Sequence, residues 1–196
     1  MKPSSESLIK LFSYYRDAEI RGCQLLFKMM QRVEDGEAQV LFSRHIDDET
    51  RHAWLWTKRI RDEGGLPVPV PDGYQRRLGK ALGIPRSIID LFALTVVVEQ
   101  RSVKRYTEHA ASPECDEKTL AVLDDITKDE KWHISWMEEW LMKMAEADGK
   151  VDQVKSTLDR FRRTEEEVFD GFRGMEREWF GFSFSETSAE AVRAEA

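Results

Sequence analysis

Leu66-Pro67-Val68-Pro69-Val70-Pro71-Asp72-Gly73 cannot be helical: every second residue is proline, which removes backbone donors and forces its predecessor out of the helical region. Working outward, both flanks are helical in pattern. Upstream, Gly64-Gly65 closes a stretch from about Glu37 to Glu63, and Asp35-Gly36 separates it from an earlier one beginning at Ser5. That earlier stretch carries Leu8, Leu11, Phe12, Tyr15, Cys23, Leu26, Phe27 and Met30, spaced by threes and fours. Downstream, a short helix over Tyr74–Leu82 precedes a third long one starting at Pro85 and reaching about Ala111. A fourth starts from the Ser112-Pro113 cap pair and ends near Gly149. Val151–Trp179 reads as a fifth amphipathic helix, and the small, polar residues of 183–196 read as a disordered tail after a domain spanning 1–182.

Short links pair helices antiparallel, and the long proline-bearing crossover lets two such hairpins lie side by side. No alternating strand pattern competes. The expectation is an all-α protein: a four-helix bundle with a long crossover between its second and third helices, plus a C-terminal fifth helix.

The chain's 196 residues suit one domain, and its 30 basic against 37 acidic side chains give a net charge of −7. That balance argues against nucleic acid or anionic membrane as the main partner. Cys23 and Cys115 form no C-x-x-C pair, which argues against a disulfide scaffold, a structural zinc site or a rubredoxin-type centre. Met1-Lys2-Pro3-Ser4-Ser5-Glu6 lacks the apolar run of a secretory signal. The apolar run at Leu91–Val98 is too short for a membrane span, so a cytoplasmic setting is expected.

The informative charges lie on faces that should be apolar. The second helix's inward stripe is Phe42, His45, Glu49, His52, Ala53, Trp56 and Ile60; the fourth's is Leu123, Ile126, Glu130, His133, Met137 and Trp140. Each carries a Glu-x-x-His, whose two side chains share one helix face. The first helix places Glu19 among Phe12, Tyr15, Cys23, Leu26 and Met30, and the third places Glu99 among Phe92, Thr95, Val103 and Tyr106.

Four ionised glutamates converging in a core would each cost several kcal/mol uncompensated. Two divalent cations would neutralise them, and mixed carboxylate and imidazole donors suit Fe, Mn or Zn better than Ca or Mg. Six ligands shared by two ions leave positions open for water, dioxygen or peroxide. The halves also repeat: Glu19 and Glu49 lie 30 positions apart, Glu99 and Glu130 lie 31 apart, and Asp48 and Asp129 precede the two Glu-x-x-His elements. A metal-bound histidine usually donates its other N–H to a nearby acceptor, a role open to these aspartates from the opposite hairpin.

Together these residues make the chain resemble the ferritin-like superfamily of di-iron carboxylate proteins over about residues 5–147. The resemblance implies that Glu49 and Glu130 bridge two iron ions, with Glu19 and His52 completing one and Glu99 and His133 the other. It also matches Asp48 and Asp129 to aspartates that hydrogen-bond metal-bound histidines. Mixed Mn/Fe, di-Mn or Zn loading remain alternatives. Typical ferritins lack the second Glu-x-x-His, and bacterioferritins have it but are shorter. Rubrerythrins usually carry a further glutamate where this chain has Ser102, and they append a rubredoxin domain that the cysteine count excludes. The fifth helix and Trp54, Trp56, Trp132, Trp136 and Trp140 resemble the oxygenase and oxidase branches.

Tyr15, Cys23, Thr95 and Tyr106 are candidate pocket residues, although ordinary packing suits each of them too. His45 reads as a surface or satisfied core histidine in preference to a site residue, and His109 as solvent-exposed. Arg51 and Arg101 read as surface ion pairs, and Glu165-Glu166-Glu167 as a solvated face. The leading functional expectation is an oxidoreductase that uses dioxygen or peroxide and an external electron donor to oxidise a small organic substrate. The alternatives are ferroxidase, storage or peroxide scavenging, and a metal-free helical interaction module. The oligomeric state is open, a homodimer included.

Overall fold

The computed structural model describes residues 3–180, so the tail expected at 183–196 lies outside the described residues. Among the described residues six helices follow in order: α1 (Ser5–Met30), α2 (Gly36–Asp62), α3 (Tyr74–Leu82), α4 (Ile88–Ala110), α5 (Glu117–Ala147) and α6 (Val151–Phe180). No strand occurs among the described residues. α1 packs on α2 and α4 on α5, and α2 meets α5 to join the hairpins, while α6 lies against α4 and α3. The protein is an all-α bundle of two hairpins with an added C-terminal helix.

Helix ends differ from expectation where side chains supply better caps. α1 stops at Met30, because Gln39 Nε2 donates to the carbonyls of Met30 (2.7 Å) and Val33 and so turns the chain. α4 starts after Ser87, not at Pro85, through a reciprocal capping box with Asp90. α5 begins at Glu117 because Asp116 accepts from two backbone N–H groups, Lys118 and Thr119, at 3.0 Å each. The proposed Ser112 cap instead opens a tight turn, whose Cys115 N–H returns to the Ser112 carbonyl at 3.0 Å.

The core between the hairpins is built from large side chains with no exposure, among them Phe12, Leu26, Phe42, Trp56, Phe92, Ile126 and Met137. α6 seals one side with Phe161, Phe169 and Phe172. Its contact with α4 is also ionic. Arg101 is buried and forks onto Glu165 with two 2.7 Å hydrogen bonds, its guanidinium 3.8 Å above the Phe169 ring, and Arg105 pairs with the buried Glu176. Arg101 and Glu165 are therefore core residues, not the surface charges expected, because α6 covers the α4 face they occupy.

Candidate metal centre

One residue from each long helix of the two hairpins would suffice to place four carboxylates at the bundle axis, and the helical phases do so. Glu19 (α1), Glu49 (α2), Glu99 (α4) and Glu130 (α5) are each at most 4% exposed, and His52 and His133 are fully buried. Their donor atoms fall into two groups, Glu19, Glu49, His52 and Glu130, and His45, Glu49, Glu99 and His133. Within either group the donor atoms lie within 4.8 Å of one another, and Glu49 belongs to both.

The two histidines are oriented alike. His52 Nδ1 lies 3.5 Å from Glu130 Oε1 and 3.8 Å from Glu19 Oε2, and its Nε2 is 3.2 Å from Asp129. His133 Nδ1 lies 3.0 Å from Glu130 Oε2 and 3.6 Å from Glu49 Oε1, and its Nε2 is 3.4 Å from Asp48. Each imidazole thus turns Nδ1 inward and is held from behind by an aspartate of the other hairpin. Glu130 spans both histidines with its two oxygens. Arg51 does not point away: it pairs with Asp125 at 2.6 Å and with Asp129, bracing the carboxylate behind His52.

Glu19 is fixed by its other oxygen, which accepts from the Tyr106 hydroxyl and from Trp56 Nε1 at 3.3 Å. Tyr106 therefore touches a candidate ligand. Tyr15 lies one step further out, with its ring 5.0 Å from that of Tyr106. Thr95 donates to the Leu91 carbonyl and lines a groove of about 200 Å³ whose floor includes Glu99. Cys23 borders a different, shallower groove beside Ile20, Phe27 and Trp54, where burial foremost and the Glu19 charge push its thiol up to about 11.

The electrostatics are those of a site short of positive charge. Burial, then the neighbouring glutamates, raise the Glu49 and Glu99 carboxyls well above the usual range. Burial also opposes ionisation of Glu130, but the His133 and His52 imidazoles beside it outweigh that and hold the carboxyl well below. His52 loses by burial and gains more from Glu130 and Glu19, ending near 11, and His133 is raised by Asp48 and Glu130 in the same way. Among the described residues, five buried side-chain polar atoms lack a hydrogen-bond partner, and four face one another here: His45 Nε2, Glu49 Oε1, His52 Nδ1 and Glu130 Oε1. Buried polar atoms are normally satisfied. The orphaned Glu49 and Glu130 oxygens and the His52 Nδ1 nitrogen are a donor set that fits divalent cations.

His45 and His109 are both repositioned relative to expectation. His45 is fully buried, stacks on His133 with ring centroids 3.5 Å apart, and sets Nε2 at 3.5 Å from Glu49 and 3.4 Å from Glu99. Its Nδ1 accepts from Trp136 Nε1 at 3.3 Å. An indole N–H only donates, so the neutral imidazole carries its proton on Nε2, aimed at the two carboxylates. Burial foremost, then His133, keeps it neutral. The available signal was its place one turn before Glu49 on the inward stripe. His109 is also buried, because it lies one turn beyond Tyr106 on the same α4 face, and its Nδ1 is 3.2 Å from the Tyr15 hydroxyl.

Among the described residues no helix is long and apolar enough to cross a membrane. A comparison with curated proteins found no match. Among solved structures, the chain is similar to a dodecameric thioferritin, the bacterioferritin-related protein from Bacteroides fragilis. The TM-score is 0.60 at 22% identity, covering 76% of this chain and 92% of that one. A family model described as a ferritin-like domain matches residues 25–147, from late α1 to the end of α5, with α6 beyond it. By that match the chain belongs to the ferritin-like domain family.

Proposed function

We infer that the protein is a di-iron oxidoreductase, with Glu19 and His52 holding one iron, Glu99 and His133 the other, and Glu49 and Glu130 shared. The observation that carries this reading is that the donor atoms of Glu19, Glu49, His52 and Glu130, and those of Glu49, Glu99 and His133, lie within 4.8 Å of one another in each group, with Glu49 Oε1, His52 Nδ1 and Glu130 Oε1 lacking a hydrogen-bond partner. Bound iron supplies the redox chemistry toward dioxygen or peroxide. The chain supplies the rest. Asp48 and Asp129 hold the two imidazoles with Nδ1 inward, and the Tyr106 and Trp56 donors leave Glu19 one free oxygen. His45 presents a proton at Nε2 toward Glu49 and Glu99.

A small substrate has a way in. The groove between α1, α3 and α4, lined by Gly22, Leu25, Gln75, Leu94 and Thr95, reaches Glu99, and Arg21, Lys28 and Arg76 lie along it. Anaerobic loading with ferrous iron should give about two irons per chain, and admission of oxygen should then produce a ferric absorption. Loss of uptake in Glu19→Ala or His133→Ala with the fold retained supports the ligand set; unchanged uptake in both refutes it.

Iron oxidation and storage is the second reading, favoured by the likeness to a thioferritin that forms a dodecamer. Light scattering separates the two. A cage that takes up many irons per chain supports storage, and a monomer or dimer holding two argues for the oxidoreductase.

A further inference from the structure

We propose that the groove between α1, α3 and α4 binds a small apolar carboxylate, its carboxylate held at Lys28 and Arg76 and its apolar end over Glu49 and Glu99. The proposal rests on the oxidoreductase reading above and assigns the chemical class of the organic substrate.

The two helices that form the trough run antiparallel. Glu19 meets Tyr106, and ten residues further along α1 Met29 Sδ lies 3.3 Å from Thr95 Oγ1. Between these contacts Gly22 leaves the groove without a side chain, and a Cβ there would lie 2.3 Å from Glu49 Oε2. The floor is therefore the carboxylate of Glu49 beside that of Glu99. Lys28 stands six positions beyond Gly22, about 9 Å along the helix, which leaves space for a short apolar body between the two.

Charge sets the head group. Of the three cations along the groove, Arg21 is taken by Asp17 at 2.6 Å. Arg76 turns one guanidinium nitrogen to the Pro71 carbonyl at 2.6 Å, and neither it nor Lys28 has an acidic partner among the described residues. Both are exposed, so they mark the mouth. Leu25, Leu94 and Val98 are half-buried behind them, and Thr95 and Glu99 are buried at the base. The interior donors are already committed: Thr95 gives its hydroxyl proton to the Leu91 carbonyl at 3.0 Å, and Gln75 Nε2 donates to the Ala18 carbonyl at 3.3 Å.

This order of mouth, wall and floor selects both the class and its orientation. Unpaired cations at the mouth attract an anion and repel a protonated amine. The apolar wall gains by covering hydrocarbon. The glutamates at the base repel a carboxylate, and no free donor there compensates, so the head stays at the mouth and the apolar end goes in. The groove holds about 200 Å³, against about 30 Å³ for one water in the liquid, which suits a molecule of about six to ten non-hydrogen atoms.

Hexanoate, hexanamide and protonated hexylamine share a chain and differ in head charge. Titration of zinc-loaded protein, followed by calorimetry or NMR, should show hexanoate binding at millimolar concentration or below. Hexanamide should bind at least tenfold more weakly and hexylamine not at all. Lys28→Gln combined with Arg76→Gln should weaken hexanoate at least tenfold and leave hexanamide unchanged, while Leu94→Trp, which fills the groove, should lose both; thermal melting checks that each variant folds. In cobalt-loaded protein the methyl protons of hexanoate should relax faster than those beside its carboxylate, since paramagnetic relaxation falls steeply with distance from the metal. Equal binding of acid and amide, hexanoate affinity untouched in the double variant, faster relaxation at the carboxylate end, or no hexanoate binding overturns the proposal. Failure of iron to bind or oxidise overturns the oxidoreductase reading instead, and the same titrations on metal-free protein still decide the preference for an anion.

Discussion

Gly22 sits in the middle of α1 with its missing side chain facing the centre. A Cβ built there would lie 2.3 Å from Glu49 Oε2 and 3.1 Å from its Cδ. Ordinary contact needs about 3.4 Å, so in Gly22→Ala the carboxylate must retreat by about 1 Å. In metal-free protein this costs little, because the clashing atom is the end of a flexible side chain. Replacing a mid-helix glycine by alanine should even stabilise α1 by roughly 0.5–1 kcal/mol. Once two ions fix Glu49, the retreat is no longer free, and displacement of a shared carboxylate should weaken metal binding about 10- to 100-fold, the size of loss seen when supporting groups of a metal site are disturbed. The variant should therefore melt at the same or higher temperature without metal, yet lose affinity in zinc or ferrous titrations followed by calorimetry. Tight binding of two ions with wild-type affinity would show that Glu49 does not hold metal from this position, and a large loss of metal-free stability would show that Gly22 serves packing instead.

Three further outcomes follow from the same geometry. Glu49, Glu99, His52 and His133 all have raised pKa values, so protons compete there with an incoming cation; affinity should fall as pH is lowered, with protons released on binding in calorimetry across buffers of different ionisation enthalpy. His109, held near 3 when folded and about 6.5 when unfolded, is neutral in the fold and favours unfolding as pH drops below 6.5; between pH 7 and 5 metal-free protein should lose about 2 kcal/mol through this residue, a loss missing from denaturant titrations of His109→Gln. Arg101→Ala strands Glu165 in the core and should cost about 3 kcal/mol in chemical denaturation, while Arg101→Met combined with Glu165→Leu should cost less than the single change.

Sequence periodicity reached the bundle because it reports which face of a helix is apolar, and Glu19, Glu49, His52, Glu99, Glu130 and His133 stand out only against such faces. It could not reach what depends on a second helix's position. Arg101 reads as exposed until α6 is known to lie across α4, and Glu165 reads as one of three solvated acids until Arg101 is opposite it. His45 lay on the correct stripe, but only the Trp136 indole behind it, 91 residues later, turns a core histidine into one whose Nε2 proton faces the carboxylates. The same long reach pairs Tyr15 with His109 across 94 residues.

These unforeseen residues share a side of the problem. The candidate ligands come from two near-equal halves, yet their surroundings are unequal. Glu99 and His133 have His45 and Trp136 beside them, while Glu19 has Trp56, Tyr106 and, behind them, Tyr15 with His109. One half is placed next to a proton donor and the other next to an oxidisable aromatic chain. A centre meant only to neutralise four buried glutamates would need neither. Symmetric ligands with asymmetric neighbours are what redox chemistry calls for, since electrons and protons must arrive from different directions. If the two metal positions prove chemically equivalent in every spectroscopic measure, including in His45→Gln and Tyr15→Phe, that distinction has no functional content and the neighbours are packing alone.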